Sequence, residues 1–264
     1  MLIVGERING TREEIARAIS ERDGEFIRNE ARTQVDAAAA MLDVNAGTTP
    51  KTEAEDLKWL VEVVQGEVDV PLAIDSANPE ALAAGLSVHK GSALINSITA
   101  EEERFRAVLP LIKEFDASVV ALTMAGGIMP ESAEGRLAIA QDLIQRFAVA
   151  GIPQEKIYFD PLVRPVATES AQGRAVLEAV RQIKEKFPEA RTICGLSNIS
   201  FGLPRRGLLN RTFLAMLLAS GLDAAIIDPT DKRMMAAIFA SRSLLGQDEY
   251  SLKYIDAQRK GLLK

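Results

Sequence analysis

The sequence predicts an α/β protein built as a single (β/α)8 TIM barrel, on three observations. Eight short apolar, β-branched runs alternate with segments of helical periodicity along the whole chain. The runs are apolar throughout, which is typical of parallel strands that are covered on both faces. The length of 264 residues is usual for one barrel of this kind, and no linker or composition shift divides it. We therefore expect a single domain over residues 1–264.

The strand predictions follow the apolar runs in chain order. Each run is four to six residues long, which is an ordinary length for a buried strand. Each is followed by a segment long enough to form a helix that packs back against the sheet. The predicted strands are residues 2–5, 41–45, 72–75, 93–96, 118–123, 157–160, 192–196 and 224–228.

The helix predictions rest on apolar periodicity and on start and stop signals. Residues 11–40 are predicted to form two helices that are broken near Asp23. Thr52 and Glu55 predict a capping box, and Pro188 ends the helix before the seventh strand. An open doubly wound sheet is the alternative, but it usually has fewer strands, and no Gly-x-Gly-x-x-Gly follows the first strand. The closed barrel is therefore preferred.

Composition excludes several classes of function. A net charge of −6 excludes nucleic acid or an anionic membrane as the main partner. No apolar run approaches the roughly 18–20 residues of a membrane helix, and Glu6 comes too early for a signal peptide. One cysteine and one histidine exclude disulfides and a zinc site made by this chain alone. We expect a cytoplasmic protein.

The single histidine and cysteine are not expected to be catalytic. His89 follows a helical stretch, which predicts a surface residue at a helix end, and no serine lies in a nucleophile-elbow sequence. Cys194 lies inside an apolar strand and is interpreted as a small buried hydrophobic residue. Catalysis must therefore rest on carboxylates, amides and a reactive partner brought from outside.

Polar side chains follow nearly every predicted strand. One such residue often only caps the next helix, and this alternative is strongest for Asp75 and Asp228. A ring of acids and amides is harder to explain by capping, because the carboxyl ends of barrel strands form the active-site mouth. The ring consists of Glu6, Asp43, Asn45, Asp75, Asn96, Thr123, Asp160, Ser197, Asn198 and Asp228.

The chemistry of this ring favours a neutral ligand rich in hydrogen-bond donors and acceptors. Carboxylates accept hydrogen bonds, and amides both donate and accept them. A pterin presents a 2-amino group beside a ring N–H, which match the two oxygens of one carboxylate. The strand ends lack Lys and Arg, which argues against phosphate. A magnesium site is the alternative, but the many amides disfavour it, and we expect no protein-bound metal.

Several motifs in the chain resemble the pterin-binding barrels of methyltetrahydrofolate:corrinoid protein methyltransferases. The resemblance covers almost the whole chain and weakens after about residue 241. Each motif is weak alone, and their order along the chain carries the resemblance. The motifs are Gly5-Glu6-Arg7-Ile8-Asn9, Leu42-Asp43-Val44-Asn45-Ala46-Gly47, Ile74-Asp75-Ser76, Ile95-Asn96-Ser97, Asp160-Pro161-Leu162, Gly195-Leu196-Ser197-Asn198, Asn210-Arg211-Thr212-Phe213-Leu214-Ala215-Met216 and Gly221-Leu222-Asp223-Ala224-Ala225.

The resemblance implies a role for each matching residue. Tetrahydrofolate or methyltetrahydrofolate is the implied substrate, and a corrinoid (cobalamin) carried by a partner protein is the implied methyl acceptor or donor. Members are typically homodimers. The residues that match the pterin-ring ligands are Asp75, Asn96 and Asp160. Asn198 matches the amide beside N5, with Ser197 next to it, and Arg206 matches a loop arginine near the folate. The supporting network is matched by Glu6, Asn9, Asp43 and Asn45.

The implied reaction is an SN2 transfer between N5 and cobalt. Asn198 is interpreted as a donor that stabilises charge at N5 without transferring a proton. The proton would come through water or through the acidic network of Glu6, Asp43 and Asp160. Glu6, Asp160 and Asn198 are therefore the candidate catalytic residues. The alternative for Asn198 is a residue that caps the next helix, and the direction of transfer is left open.

Two other functions and one loop complete the predictions. A dihydropteroate synthase-like enzyme would use the same pocket, but its Asn-x-Thr-Pro-Asp-Ser-Phe loop and its Lys-x-x-x-Phe segment are missing. A non-catalytic pterin-binding subunit would not need Asn198. Residues 124–130, with two adjacent glycines, form either a flap over the folate, a corrinoid-facing surface or an ordinary turn.

Overall fold

Eight parallel strands close into a barrel in the computed structural model, which describes residues 1–263. Neighbours in sequence are neighbours in the sheet, and β8 pairs with β1 to complete the ring. The predicted (β/α)8 fold class is confirmed. The strands are β1 (Leu2–Asn9), β2 (Met41–Asn45), β3 (Leu72–Asp75), β4 (Leu94–Ile98), β5 (Ser118–Leu122), β6 (Ile157–Asp160), β7 (Arg191–Gly195) and β8 (Ala224–Ile227).

Ten α-helices follow or connect these strands within the described residues. Two large apolar clusters fill the space between barrel and helices, which explains why the strands are apolar on their outer face. None of the helices in residues 1–263 is long and apolar enough to cross a membrane. The helices are α1 (Glu13–Ser20), α2 (Gly24–Asp36), α3 (Glu53–Gln65), α4 (Pro79–Val88), α5 (Glu102–Glu114), α6 (Ala133–Ala150), α7 (Gln172–Lys186), α8 (Arg206–Ala219), α9 (Lys232–Leu244) and α10 (Leu252–Arg259).

A third apolar cluster fills the inside of the barrel and takes one buried side chain from each strand. Side chains alternate between the two faces of a strand, so the residue two positions further along points inward as well. This cluster therefore fixes which residues face the mouth of the barrel. Its buried members are Val4, Met41, Ala73, Leu94, Val120, Tyr158, Ile193 and Ala224.

The first strand is longer than predicted. β1 continues to Asn9 instead of ending at Gly5, and its pairing with β2 shifts register between Gly5 and Ile8. The polar residues Glu6 and Arg7 therefore lie within the strand. The remaining predicted strand ends agree with the structure to within one or two residues. The second half of β1 contains polar residues, which explains why the apolar pattern alone predicted a shorter strand.

Two local predictions were wrong. Thr52 precedes α3 in helical backbone geometry, its side chain makes no capping hydrogen bond, and its hydroxyl lies near Thr49 instead. The capping box with Glu55 is therefore not formed. His89 does lie at the end of α4, but it is half-buried, and its Nε2 accepts a hydrogen bond from the Leu72 N–H at 3.3 Å.

Two other local predictions were correct. The break between α1 and α2 falls near Asp23, whose side chain accepts from the Phe26 N–H at 3.0 Å and so caps α2. α7 ends just before Phe187-Pro188, as expected for a helix stopped by proline. Cys194 is fully buried within β7.

Candidate active site at the carboxyl end of the barrel

An inward-facing polar layer lies directly above the apolar interior of the barrel. Its members stand two positions after an interior residue on the same strand, so strand alternation directs them into the mouth. The register places Asn9 beside Asn45, Asn45 beside Asp75 and Asp75 beside Asn96. The layer includes Glu6, Asp43, Asp75, Asn96 and Asp160.

Amides donate to carboxylates of this layer from other strands, once between the neighbours β2 and β3 and once from β4 to β2, past β3. Asn45 Nδ2 donates to Asp75 Oδ2 at 2.8 Å, and Asn96 Nδ2 donates to Asp43 Oδ1 at 3.1 Å. Within residues 1–263, Asp75 Oδ1 and Asn96 Oδ1 accept no hydrogen bond. Each pair therefore leaves an acceptor free for a ligand that offers N–H groups.

Asp160 ends β6 on the other side of the mouth. Its Oδ1 accepts a hydrogen bond from the Leu162 N–H at 2.8 Å, and Leu162 has a left-handed φ of 59° that closes this turn. Burial raises the pKa of Asp160 to about 6, although hydrogen bonds from the Leu162 and Gly195 N–H groups and the Arg136 charge oppose the rise. Asp160 is therefore ionised at neutral pH and protonated in mild acid.

Three further carboxyl groups of the layer also have raised pKa values. Burial, reinforced by Asp228, raises the pKa of Glu6 to about 7. Burial and then the charge of Asp75 raise the pKa of Asp43, and burial raises that of Asp75. Carboxyl groups this close cannot all ionise at neutral pH without mutual repulsion. Without a ligand, at least one of these carboxyl groups is therefore partly protonated at neutral pH.

Asn198 lies on a 3-10 turn, Leu196–Ser200, directly after β7. Its side chain is exposed, and no side-chain hydrogen bond holds it within residues 1–263. α8 begins only at Arg206, and the residue before it, Arg205, holds the cap position. The alternative that Asn198 caps this helix is therefore excluded.

Arg206 holds the turn that carries Asn198. Its guanidinium donates to the Ser197 carbonyl at 2.8 Å and to Ser200 Oγ at 3.1 Å. Ser197 thus contributes its backbone to the turn, and Arg206 is an exposed cation close to the mouth. Both residues therefore lie beside Asn198, and Arg206, predicted to be a loop arginine near the folate, is the first residue of α8.

The capping alternatives for Asp75 and Asp228 are also excluded. Asn78 caps α4 and Asp231 caps α9. Asp228 instead accepts from the Thr230 N–H at 2.9 Å and pairs with Arg7 at 3.0 Å. Arg7, the cation within β1, is bound to Asp228 and to Glu30 of α2.

Local bonds occupy Asn9, a member of the supporting network implied by the resemblance, and Thr123, a member of the predicted ring. Asn9 Oδ1 accepts from the Thr11 N–H at 3.0 Å and from Thr11 Oγ1 at 2.7 Å. Thr123 Oγ1 donates to the Asp160 carbonyl at 3.1 Å. Asn9 therefore orders the β1 loop, and Thr123 ties the end of β5 to the end of β6.

Two arginines behind the site were missed by the sequence analysis. Arg104 of α5 donates to the Ser76, Ala77 and Ser97 carbonyls, which directly follow Asp75 and Asn96. Arg136 of α6 donates to the Pro161 carbonyl next to Asp160 at 2.7 Å. An arginine in the first turn of a helix opposes the helix dipole, and this was the signal that could have identified both.

The loop over residues 124–130 is a compact turn. An antiparallel bridge joins Ala125 to Ile128, and Gly126 and Gly127 take φ values of 57° and 71°, which favour glycine. The Gly127 N–H donates to Glu101 Oε1 at 2.8 Å. Ile128 is 70% exposed at its tip.

A small cavity of about 90 Å³ adjoins Glu6 and is also lined by Ser197, Asn210 and Asp228. The Asn210 side-chain oxygen is buried there without a partner in residues 1–263. Larger cavities lie elsewhere, such as one of about 450 Å³ at the amino ends of the strands, between Met41 and Arg191. In the described part of the chain, no three His, Cys, Asp or Glu side chains are grouped to hold a metal ion.

Comparison with known proteins identifies the family. The model of the pterin binding enzyme family matches residues 5–228, which include β2 to β8 and all of β1 after its first three residues. The chain belongs to the pterin-binding enzymes. The membership predicted from the ordered motifs is therefore confirmed.

Members of this family differ in their similarity to the chain. The methylcorrinoid:tetrahydrofolate methyltransferase of Eubacterium limosum is 37% identical over 99% of this chain and 97% of its own length. The methionine synthase of Mycobacterium tuberculosis is 32% identical over 86% of this chain but only 20% of its own length. Among solved structures, the 7,8-dihydropteroate synthase of Vibrio fischeri has a TM-score of 0.71, 14% identity and 93% coverage of both chains, which shows a shared fold alone.

Replacing Glu6 tests the burial of a charge in this pterin-binding barrel. Folding raises the pKa of Glu6 from 4.5 to about 7. The free energy of unfolding therefore decreases as the pH rises through that range. We expect Glu6→Gln to be more stable than the parent at pH 8, by on the order of 2 kcal/mol, with little or no gain at pH 5. Urea unfolding at both pH values measures the difference.

The exposed Glu189→Gln is the matched control for this change. It should show no difference between the two pH values. A gain for Glu6→Gln that is equal at pH 5 and pH 8 would show that the ionisation of Glu6 plays no part.

Proposed function

We propose that this chain is a methyltransferase that moves a methyl group between N5 of tetrahydrofolate and the cobalt of a corrinoid carried by a separate protein. The observation that carries the proposal is the full-length similarity to a methylcorrinoid:tetrahydrofolate methyltransferase, 37% identical over 99% of the chain. The inward layer of carboxylates and amides supports it. The domain over residues 1–264 acts as one pterin-binding barrel.

Asp75, Asn96 and Asp160 bind the pterin ring. A carboxylate accepts from both the 2-amino group and the adjacent ring N–H, and an amide pairs with a carbonyl or a ring nitrogen. Asp75 and Asn96 are neighbours in register, and Asp160 lies on β6 across the mouth. Asp43 and Asn45 hold Asn96 and Asp75 in place through the bonds at 3.1 and 2.8 Å.

Asn198 acts at N5 in the transfer step. The N5–methyl bond forms as the methyl–cobalt bond breaks, and N5 then loses its proton; the reverse reaction passes through the same state. The corrinoid supplies the cobalt that exchanges the methyl group. An amide both donates and accepts, so Asn198 can stabilise N5 as its charge changes. By similarity to the Eubacterium limosum relative, the methyl group passes to tetrahydrofolate.

Glu6 exchanges the N5 proton with solvent. Its pKa of about 7 lets it take or release a proton near neutral pH. The cavity of about 90 Å³ beside it is lined by polar side chains such as Asn210 and Asp228 as well as by apolar ones, and it has room for water. Glu6 and Ser197 both line this cavity, so a water molecule there would connect Glu6 to the turn that carries Asn198.

The corrinoid protein docks at the carboxyl rim, because N5 is accessible only from the mouth. Exposed apolar side chains at this rim, Ile128 at 70% and Phe201 at 62%, suit such a contact.

The chain also forms a homodimer and works in the cytoplasm. Exposed apolar residues near the carboxyl terminus, such as Leu244 at 87% and Tyr250 at 83%, support self-association, which sedimentation equilibrium measures.

The dihydropteroate synthase alternative has no support beyond the shared fold, since the solved synthases are 13–18% identical to the chain.

The non-catalytic alternative is tested together with the main proposal. Methylcobalamin and tetrahydrofolate are mixed with the chain under anaerobic conditions, and methyltetrahydrofolate and the absorbance of cob(I)alamin are followed. We expect both products to appear together. Binding of tetrahydrofolate without methyl transfer to or from cobalamin would leave only a pterin-binding role.

A further inference from the structure

Arg136 is a fully buried cation next to the pterin-binding site. It lies in the first turn of α6 and has an exposed fraction of 0%. Its guanidinium bridges the loop after β5, the loop after β6 and the start of α7. It donates to the carbonyls of Pro161 at 2.7 Å, Glu131 at 2.9 Å, Ser132 at 3.2 Å and Leu162 at 3.4 Å, and to Gln172 Oε1 at 2.8 Å.

The charge of Arg136 is not neutralised by direct contact. All of its acceptors are neutral, and no carboxylate in residues 1–263 forms an ion pair with it. Burying an unpaired guanidinium is costly, and burial lowers its pKa, as does the charge of Arg164. The carboxylate that favours its charged form is Asp160. The other titratable group near Asp160 is the neutral, buried thiol of Cys194.

The contacts of Arg136 converge on the turn that carries Asp160. Asp160 accepts from the Leu162 N–H, and the Leu162 and Pro161 carbonyls accept from Arg136. Gln172, 1% exposed, is fixed between Arg136 and the Glu131 carbonyl. The planar guanidinium therefore sets the shape of this turn as well as its local charge.

We propose that Arg136 is a positioning residue for Asp160, which shapes the Asp160 turn through its hydrogen bonds and favours the ionised carboxylate through its charge. This inference rests on the proposed function, because it assigns the ionised Asp160 to the pterin. Arg136 itself does not touch the substrate. Its two effects can be separated by three substitutions.

Each substitution removes a different part of the interaction. Arg136→Gln removes both the charge and the forked donor. Arg136→Lys keeps the charge but loses the fork. Gln172→Glu keeps the size of the side chain and its bond to Arg136, and neutralises the cation with a carboxylate. It gives up the weaker bond from Gln172 Nε2 to the Glu131 carbonyl at 3.3 Å, which does not involve the Asp160 turn. Arg146→Gln, on the same helix and away from Asp160, is the matched control.

The readout is the affinity for tetrahydrofolate, measured by calorimetry between pH 5 and pH 8. In the parent, affinity falls as pH drops through about 6, because Asp160 becomes protonated. In Gln172→Glu this fall begins at higher pH, so binding is about fivefold weaker at pH 6 and less than about twofold weaker at pH 8. Arg136→Lys weakens binding equally at all pH values, and Arg136→Gln shows both effects. Combining Gln172→Glu with Asp160→Asn removes the pH-dependent part.

The outcomes separate this inference from the proposed function. If the parent does not bind tetrahydrofolate, the proposed function fails. If the parent binds, but Gln172→Glu and Arg136→Gln keep the affinity and pH profile of the parent and of Arg146→Gln, the role of Arg136 is overturned. Should Arg136→Gln not fold, Gln172→Glu still decides, because it retains the hydrogen bonds that Arg136 donates to the Pro161 and Leu162 carbonyls of the turn.

Discussion

Asn198→Ala is expected to slow single-turnover methyl transfer between methylcobalamin and tetrahydrofolate by about 100- to 1000-fold at saturating folate. Its side chain is exposed at the mouth and is not held by hydrogen bonds within the described residues. Its loss should therefore leave the turn intact. If Asn198 interacts with N5 mainly in the transition state, the rate falls while the affinity for folate changes little.

The surface change Asn29→Ala provides a matched control for loss of an exposed amide. It should retain the parent rate and affinity. An unchanged transfer rate in Asn198→Ala would assign Asn198 a role in positioning the ligand at most. A loss of affinity as large as the loss of rate would mean that Asn198 binds the ground state and the transition state equally.

Asp75→Asn and Asp160→Asn are each expected to weaken tetrahydrofolate binding by roughly 1–3 kcal/mol, because buried pterin donors lose a charged acceptor. The two carboxylates lie on β3 and β6, at different points around the mouth. Their effects should therefore be close to additive. Calorimetry at pH 8 measures both, since all parent molecules then have Asp160 ionised.

Asp23→Asn is the control for this pair, because asparagine caps a helix as well as aspartate does and α2 lies outside the mouth. In Asp160→Asn, the part of the fall in affinity near pH 6 that comes from protonation of Asp160 should also disappear. Parent-like affinity in both site variants would remove the basis for assigning the pterin to this layer.

Much of the fold could be predicted because most strands here are short apolar runs that end in a polar residue. The bounds of β2, β3 and β6 agree with the predicted ranges. β1 could not be delimited, because the strand continues through Glu6 and Arg7. Those residues are polar since one faces the mouth and the other pairs with Glu30 and Asp228.

The ring of acids and amides could also be anticipated, because strand ends in a barrel share one rim. The bonds within the ring could not. Asn45 pairs with Asp75 and Asn96 with Asp43 only once the register between strands is known. Arg104 and Arg136 were missed because backbone carbonyls accept most of their hydrogen bonds, and such partners cannot be identified from side-chain types. Only their unfavourable position in the first turn of a helix was available as a signal.

The apolar cluster inside the barrel, with Val4, Tyr158 and Ile193 among its members, also separates the polar layer from solvent at the amino ends of the strands. Packed side chains leave no route for water or hydronium from the far end of the barrel. Solvent therefore reaches the acids from the mouth and from the small cavity beside Glu6. Once a corrinoid protein covers the mouth, we expect the cavity beside Glu6 to remain as the route by which the acids exchange protons with solvent.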